Sequence, residues 1–425
     1  MRLAVVGAGI VGVTTAYELA ADGHEVSVYD RSPAVATGTS FANAGVIAPG
    51  YVTPWAAPGM PAKVLGHLLS RHAPVRLAWP GWIAELPWMW RWWRACRPQV
   101  YAANRSVMQR LAQLSVDRMR QLTRTLALDY EQADGYLVLL RSARDAALAR
   151  PGLALLDELG VGYRMLDAGQ ARAVEPALNA ETPLAAAIHL PQDGVGNCRH
   201  FAHLLKAHAQ ALGTTFHFEQ TVRRIVAGPR PSLELAAATD PSANDSRAAF
   251  DGVVVCAGPQ SAALMAPLGL RLPLAPVYGY SVTAPLRRHD GHGDAGPRSA
   301  LMDEKYKVAI SRLGQRVRVA GSAELGGRPD RQDPRALQTL YKVLDDWFPG
   351  AAAMAQAQVW KGARPMLPDG PPLIGPSGAE GVWLNLGHGS SGWALACGSA
   401  RVLADLVAGR APALDAQRLR RFAAR

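Results

Sequence analysis

The spacing of hydrophobic and polar positions changes twice within the first thirty residues. Leu3-Ala-Val-Val6 is an unbroken apolar run, which predicts a strand buried on both faces. Residues 13–22 read as a helix, and Glu25-Val-Ser-Val-Tyr29 as a second strand that ends in Asp30. Between the first strand and the helix stands Gly7-Ala8-Gly9-Ile10-Val11-Gly12. Gly7 permits the tight turn, Gly9 a close approach of backbone to a pyrophosphate, and Gly12 close packing of helix on strand. The helix start offers N–H groups and a positive dipole end to phosphates, and Asp30 stands where a carboxylate accepts ribose hydroxyls. The reading is a βαβ dinucleotide-binding unit.

The alternation then breaks. Pro49, Pro54, Pro58 and Pro61 mark a turn-rich excursion, and 101–126 reads as a long helix with Leu111, Leu114, Met119 and Leu122 on one face. Strand-like periodicity returns at 187–190, with a helix over 199–212, strands at 215–218 and 222–226, and a buried strand at 251–258 that ends in small residues. Residues 229–247 read as a weak hairpin or variable loop. Alternation continues from 273 to 321, a helix follows at 334–348, and Val382-Trp-Leu-Asn-Leu-Gly387 leads through His388-Gly-Ser-Ser-Gly392 into a helix over 393–407. This predicts an α/β fold with a Rossmann-type domain (1–56, 187–275 and 357–425) interleaved with an α+β substrate or cap domain (57–186 and 276–356).

Composition narrows the class. The chain has 425 residues, of which 49% are hydrophobic, enough for two globular domains with a sizeable core. Cys96, Cys198, Cys256 and Cys397 are far apart, which points to a reducing compartment and no disulfide framework. The first strand leaves no room for a signal peptide, and no long apolar run suggests a membrane span, so a cytoplasmic setting is expected. The net charge of +11 comes without dense basic runs interleaved with aromatics, which argues against nucleic acid. Six of the eleven tryptophans (Trp79, Trp82, Trp88, Trp90, Trp92 and Trp93) crowd residues 79–97 beside Arg91, Arg94 and Arg97. This segment fits either peripheral contact with the inner face of a cell membrane or an aromatic helix packed on its own domain.

Candidate chemistry is sparse. Cys198, His200 and His203 lack a fourth ligand, so no metal is expected. His388-Gly-Ser-Ser-Gly392 does not give a nucleophile elbow on either serine. Arg364, in Gly362-Ala-Arg364-Pro365, offers a planar clamp for a carboxylate. The turn 387–392 would present N–H groups where negative charge develops on a bound group.

The chain resembles the D-amino-acid dehydrogenase small-subunit family of the FAD-dependent D-amino-acid oxidase superfamily over nearly its whole length. The resemblance rests on the glycine loop together with Ser40-Phe-Ala-Asn-Ala-Gly45, Pro49-Gly-Tyr-Val-Thr-Pro-Trp-Ala-Ala-Pro-Gly59, Arg71-His-Ala-Pro74, Trp88-Met-Trp90, Val174-Glu-Pro176, Tyr278-Gly-Tyr-Ser281, Tyr306-Lys307, Arg364-Pro-Met-Leu-Pro-Asp-Gly370 and Leu386-Gly-His-Gly389. It implies noncovalent FAD, since no attachment motif is evident. It also implies oxidation of a D-amino acid to an imino acid, which water converts to a 2-oxo acid and ammonia, with electrons passed to a quinone or other respiratory acceptor.

The cofactor residues so implied are Gly7, Ala8, Gly9, Ile10, Val11, Gly12, Asp30 and Arg31 for the ADP half. Ser40, Asn43, Ala44, Gly45 and Val46 serve the pyrophosphate and flavin, and Val222 lies beside the adenine. Ala257, Gly258, Gly387, His388, Gly389, Ser390, Ser391 and Gly392 complete the set. The implied catalytic residues are Arg364, for the substrate carboxylate, with Tyr306, Tyr278, Tyr280 and His388. Two rivals remain: a dehydrogenase of D-hydroxyproline, D-proline or another secondary amine, and a nucleotide-binding regulatory protein without turnover.

Overall fold

Leu3–Val6 pairs in parallel with Gly252–Val255 on one side and with Val26–Tyr29 on the other. These uninterrupted apolar strands seed a six-stranded sheet in the order Leu373–Pro376, Val382–Leu386, Gly252–Val255, Arg2–Val6, Glu25–Tyr29, Thr215–His217. Only the edge strand Leu373–Pro376 runs antiparallel. The computed structural model describes residues 1–67, 70–158, 160–237, 246–289 and 293–414.

Four helices (Ile10–Ala21, Pro98–Thr125, Cys198–Ala211 and Gly392–Val407) supply most of the core on one face of this sheet. The other face is covered by a three-stranded antiparallel sheet of Gln220–Val226, Ser232–Ala237 and Ser246–Ala249, through Ile225, Leu233 and Leu235. Of the two readings of 229–247, weak hairpin or variable loop, the antiparallel pairing of Ser232–Ala237 with Ser246–Ala249 favours the hairpin; residues 238–245 lie outside the described residues. The helix over 98–125 falls in a segment assigned above to the cap, yet it packs on Gly392–Val407 in the nucleotide core. A Cβ on Gly398 would stand 2.9 Å from Leu111 O. Glu18, fully buried, is held there by Arg118 (2.7 and 2.9 Å) and Arg401 (2.8 Å).

A ten-stranded sheet forms the second layer. Its main path runs Gln358–Met366, Ala275–Pro285, Arg316–Leu325, Val308–Leu313, Ala300–Asp303, Ala133–Leu140, Ala186–Val195, Val46–Ile47. Val75–Leu77 pairs beside Arg316–Leu325, and Arg164–Leu166 beside Ala186–Val195. The amphipathic helix Pro334–Trp347 packs Leu340, Val343 and Trp347 against Val308, Ile310 and Val319. Three strands of this sheet, Val46–Ile47, Ala186–Val195 and Gln358–Met366, come from segments otherwise belonging to the nucleotide layer, so the chain crosses between layers more finely than periodicity alone predicts.

The tryptophan-rich segment is a 3-10 turn, Gly81–Glu85, followed by the helix Leu86–Ala95. Its tryptophans divide between the interior and the surface. Trp88 is buried and donates its Nε1–H to Met366 O (3.0 Å), whereas Trp79, Trp90 and Trp93 are 74%, 58% and 49% exposed. Trp90 and Trp93 stack at 4.9 Å. All four cysteines are buried and unpaired, no helix of the described residues is long and apolar enough to cross a membrane, and no metal-ligand cluster occurs among them.

Candidate active site

A cavity of about 2040 Å³ runs between the two layers, from the glycine loop and Asp30 to the wall of the ten-stranded sheet. Gly7, Ala8, Gly9, Ile10 and Val11 line it, as do Arg31, Val222, Ala257 and Gly258. Gly12 does not. It serves packing instead, because a Cβ there would lie 1.8 Å from Gly7 O. Gly9 has room in front of it, since a Cβ there would find its nearest outside neighbour, Ser40 Oγ, at 3.5 Å. Asp30 accepts Ala8 N–H (2.6 Å) on Oδ2 and Ser32 N–H (2.8 Å) on Oδ1, so it fixes the loop from the end of its strand. Ser40 Oγ accepts Ile10 N–H (3.0 Å), a cap on the first helix delivered from thirty residues away.

The loop over 42–46 is gripped from the substrate layer. Three successive carbonyls accept side-chain donors of the large sheet: Ala42 from Ser281 Oγ (2.8 Å), Asn43 from Arg318 Nη1 (2.9 Å) and Ala44 from Ser311 Oγ (2.7 Å). Burial pushes the Arg318 guanidinium down to about 10. Asn43 Oδ1 accepts Gly45 N–H (3.0 Å), and Gly45 takes a left-handed φ of 75°. Asn43, Ala44 and Val46 line the cavity, while Gly45 O accepts the indole N–H of Trp393 (3.2 Å) behind it.

At the far wall Arg364 lies on the strand Gln358–Met366. Its Nη1 donates to Ser322 O (2.9 Å), and burial pushes its guanidinium down to about 10. No carboxylate among the described residues pairs with it. Gly279 on the neighbouring strand makes the space, since a Cβ there would stand 2.2 Å from Arg364 Nη2. Sequence reasoning missed Gly279, although it stands at the centre of Tyr278-Gly-Tyr280. Gly279→Ala is expected to leave the denaturation midpoint nearly unchanged, because the obstacle is the end of a flexible side chain. It should lower turnover by at least tenfold by displacing the guanidinium, as steady-state kinetics would read.

The tyrosines divide. Tyr278 and Tyr280 line the cavity, but Tyr280 donates its hydroxyl to Glu324 and accepts Asp333 N–H (3.0 Å), which commits it to the sheet. Lys361 lies 4.6 Å from the Tyr278 ring. Tyr306 is not in a strand, as the family resemblance implied, but in the turn after Ala300–Asp303, and it is not among the cavity-lining residues. Its ring packs against Arg141 (5.1 Å) and His72 (5.9 Å), because Lys307 at φ 53° ends the extended run.

His388 lines the cavity with the rest of the turn 387–392, and its Nε2 bonds Ser399 Oγ (2.9 Å). Burial drives the imidazole down to about 3 from an ordinary 6.5, so it is neutral throughout the working range. The unfolded chain therefore binds the extra proton between those values, and stability falls as pH drops through that window. His388→Asn is expected to flatten the acid side of the denaturation-midpoint profile. An unchanged slope would assign that loss to other groups. The turn itself is set by Gly387 and Gly389 at φ 80° and 57°, and it delivers the start of helix Gly392–Val407 to the cavity.

The geometry defines a nucleotide-binding protein whose cavity lies between two interleaved layers, and the FAD dependent oxidoreductase family profile matches residues 2–406. The chain belongs to that family. It is 43% identical over 417 residues to a D-amino acid dehydrogenase of Cereibacter sphaeroides (98% of this chain, 93% of the relative). It is 41% identical over 424 residues to a D-amino acid dehydrogenase of Bradyrhizobium diazoefficiens (99% and 98%). Among solved structures, glycine oxidase from Geobacillus kaustophilus superposes with a TM-score of 0.75 at 20% identity (99% and 97% covered). L-proline dehydrogenase from P. horikoshii does so at 0.72 and 16% (99% and 96%). These two share the fold.

The cofactor is FAD, and the residues fit it. The open face of Gly9, the helix start at Ile10 and the small residues Ala257 and Gly258 leave a groove along the cavity that side chains would fill.

Proposed function

We propose that this chain oxidises D-amino acids to 2-oxo acids and ammonia through an imino acid, and passes the electrons to a quinone or another acceptor rather than to dioxygen. The observation that carries the reading is Arg364, a buried cation with no acidic partner among the described residues, facing the same cavity as the glycine loop. Leaving a guanidinium so desolvated is costly unless a ligand carboxylate completes it. Bound FAD supplies the two-electron acceptor for hydride from the substrate α carbon. Arg364 holds the carboxylate, the Gly279 gap gives the guanidinium its place, and the turn 387–392 directs the positive end of a helix into the cavity. The preference for the D-isomer follows the relatives named above.

The test is the visible spectrum of the holoprotein without oxygen, with D-alanine and then L-alanine. Bleaching of the flavin bands by the D-isomer alone, with slow recovery in air, is the expected result. Bleaching only by D-proline, D-hydroxyproline or other secondary amines would replace the substrate class. A flavin unresponsive to all of them would leave a regulatory protein.

The exposed Trp79, Trp90 and Trp93, with Arg91, Arg94 and Arg97 around them, support peripheral contact with an anionic membrane near a quinone pool. In liposome flotation with anionic lipid at low salt, the protein is expected to rise with the vesicles. Trp90→Ser/Trp93→Ser should stay at the bottom. Equal behaviour of the two proteins would remove the segment from the contact.

A further inference from the structure

The cavity wall holds a polar cluster that neither the carboxylate clamp nor the glycine loop uses. Tyr51, Glu304 and Lys307 all line the cavity. Tyr51 donates its hydroxyl to Glu304 Oε2 (2.5 Å), and Lys307 Nζ donates to Tyr51 Oη (3.1 Å) and to Glu304 Oε1. The cluster joins two distant parts of the chain: Tyr51 lies in the 3-10 turn Pro49–Tyr51, and the other two lie in the turn joining Ala300–Asp303 to Val308–Leu313. Lys307 holds a left-handed φ of 53° to reach its place.

This cluster and Arg364 share one wall of the cavity. A Cβ on Gly321 would stand 3.1 Å from Lys307 O, and the next residue, Ser322, gives its carbonyl to Arg364. The turn and Ser322 thus lie on neighbouring strands, about one strand spacing (roughly 5 Å) apart, and Arg364 reaches Ser322 across the strand Ala275–Pro285. An α-amino acid carries its carboxylate and amine on one carbon, so a carboxylate at Arg364 leaves its amine in the cavity that Glu304 also lines. Three acids line the cavity among the described residues: Asp30, Asp145 and Glu304. Asp30 is spent on the glycine loop, and Asp145 accepts Ser142 N–H (3.0 Å) and Oγ–H (2.8 Å). Glu304 uses two of about four lone-pair positions on Tyr51 and Lys307, and the others are open to a further donor.

We propose that Glu304, set in place by Tyr51 and Lys307, takes the proton of the substrate's ammonium group. The inference rests on the amino-acid oxidation proposed above. An ammonium nitrogen has no lone pair, so no imine forms until it loses a proton. In the step, one N–H bond breaks and an O–H bond forms on Glu304. The freed pair becomes the second C–N bond as hydride leaves the α carbon for FAD. Tyr51 does not compete as base, since burial and Glu304 push its hydroxyl well above the ordinary range. Around the cluster stand Lys305 on the same turn and Arg141, bonded to Asp303. Tyr136 lies edge-on to Tyr51 at 5.8 Å, and behind it is Asp193, pushed by burial up to about 7. Their titrations are common to wild type and variant and cancel in a ratio of the two.

The experiment compares kcat/KM for D-alanine in wild type and Glu304→Gln from pH 6 to 9. The variant is expected to be about 10²- to 10⁴-fold slower at pH 6. The deficit should shrink close to tenfold per pH unit, as solution supplies more of the neutral amine. Propionate, which has the carboxylate and no amine, should perturb the flavin spectrum with equal affinity in both proteins. A deficit independent of pH, no deficit, or weakened propionate binding would each overturn the proposal. If Glu304→Gln does not retain FAD, Glu304→Asp serves. It should keep the wild-type pH profile at a lower rate, and a tenfold-per-unit rise in it would overturn the proposal. Wild type alone gives a further check, since such a rise there means the neutral amine is drawn from solution. A wild-type flavin bleached by no D-amino acid would instead defeat the underlying functional reading.

Discussion

Arg364→Leu is expected to lower kcat/KM for a D-amino acid by between about thirtyfold and several thousandfold. Loss of one partner from a buried, hydrogen-bonded charge pair costs about 2–5 kcal/mol. The same change should leave the denaturation midpoint where it is or raise it. Among the described residues the guanidinium meets the carbonyls of Ser322 (2.9 Å) and Tyr278 (3.5 Å) and the Trp55 ring (6.0 Å), with no carboxylate to offset its desolvation. Activity and stability thus move in opposite directions, the mark of a group kept for its ligand. Arg364→Lys should recover little, because an ammonium does not reproduce the planar two-point clamp. Steady-state kinetics beside a urea melt would read both arms, and a drop in midpoint equal to the loss in rate would make Arg364 structural.

Glu18→Ala is expected to do the reverse. It lies in the core between the helices Ile10–Ala21, Pro98–Thr125 and Gly392–Val407, bonded to Arg118 and Arg401. Removing a buried partner of such a pair costs about 3–5 kcal/mol, because it leaves charge uncompensated. Arg401 keeps Asp22 and Asp405 as partners, so the stranded group is Arg118. The urea midpoint should fall steeply while bleaching by substrate survives in the folded fraction. Replacing Glu18 and Arg118 together with Leu and Met should recover part of the loss. If the double variant is no better than the single one, uncompensated charge is not the cause.

The parts of the fold that are local in sequence were legible from it. The glycine loop, its strand and its helix announce themselves because each step is set by residues within a few positions, whereas Arg364 was singled out through the resemblance to a family motif, Gly362-Ala-Arg364-Pro365. What was not legible depends on register. The strands Ala186–Val195 and Gln358–Met366 alternate like any others, and nothing in their own residues says which sheet they join. Gly279 matters only because pairing sets it two positions from Val277, the residue opposite Arg364. Tyr306 looks like a strand tyrosine until Lys307 turns left-handed beside it. The cluster of Tyr51 and Glu304 joins residues 253 apart, beyond any spacing rule. In the tryptophan-rich helix the aromatic count is even-handed: Trp88 and Trp92 pack inward and Trp90 and Trp93 point outward.

The three side chains that hold the carbonyls of Ala42, Asn43 and Ala44 have a consequence for traffic. They rivet the layer that carries the glycine loop to the layer that carries Arg364, with one rivet on each consecutive peptide. The two halves are therefore expected not to swing apart like a jaw when substrate arrives or product departs. Passage of small molecules is expected at the rim, where the exposed Lys63 and Arg144 line the cavity. Small-angle scattering should accordingly give the same radius of gyration before and after substrate is added.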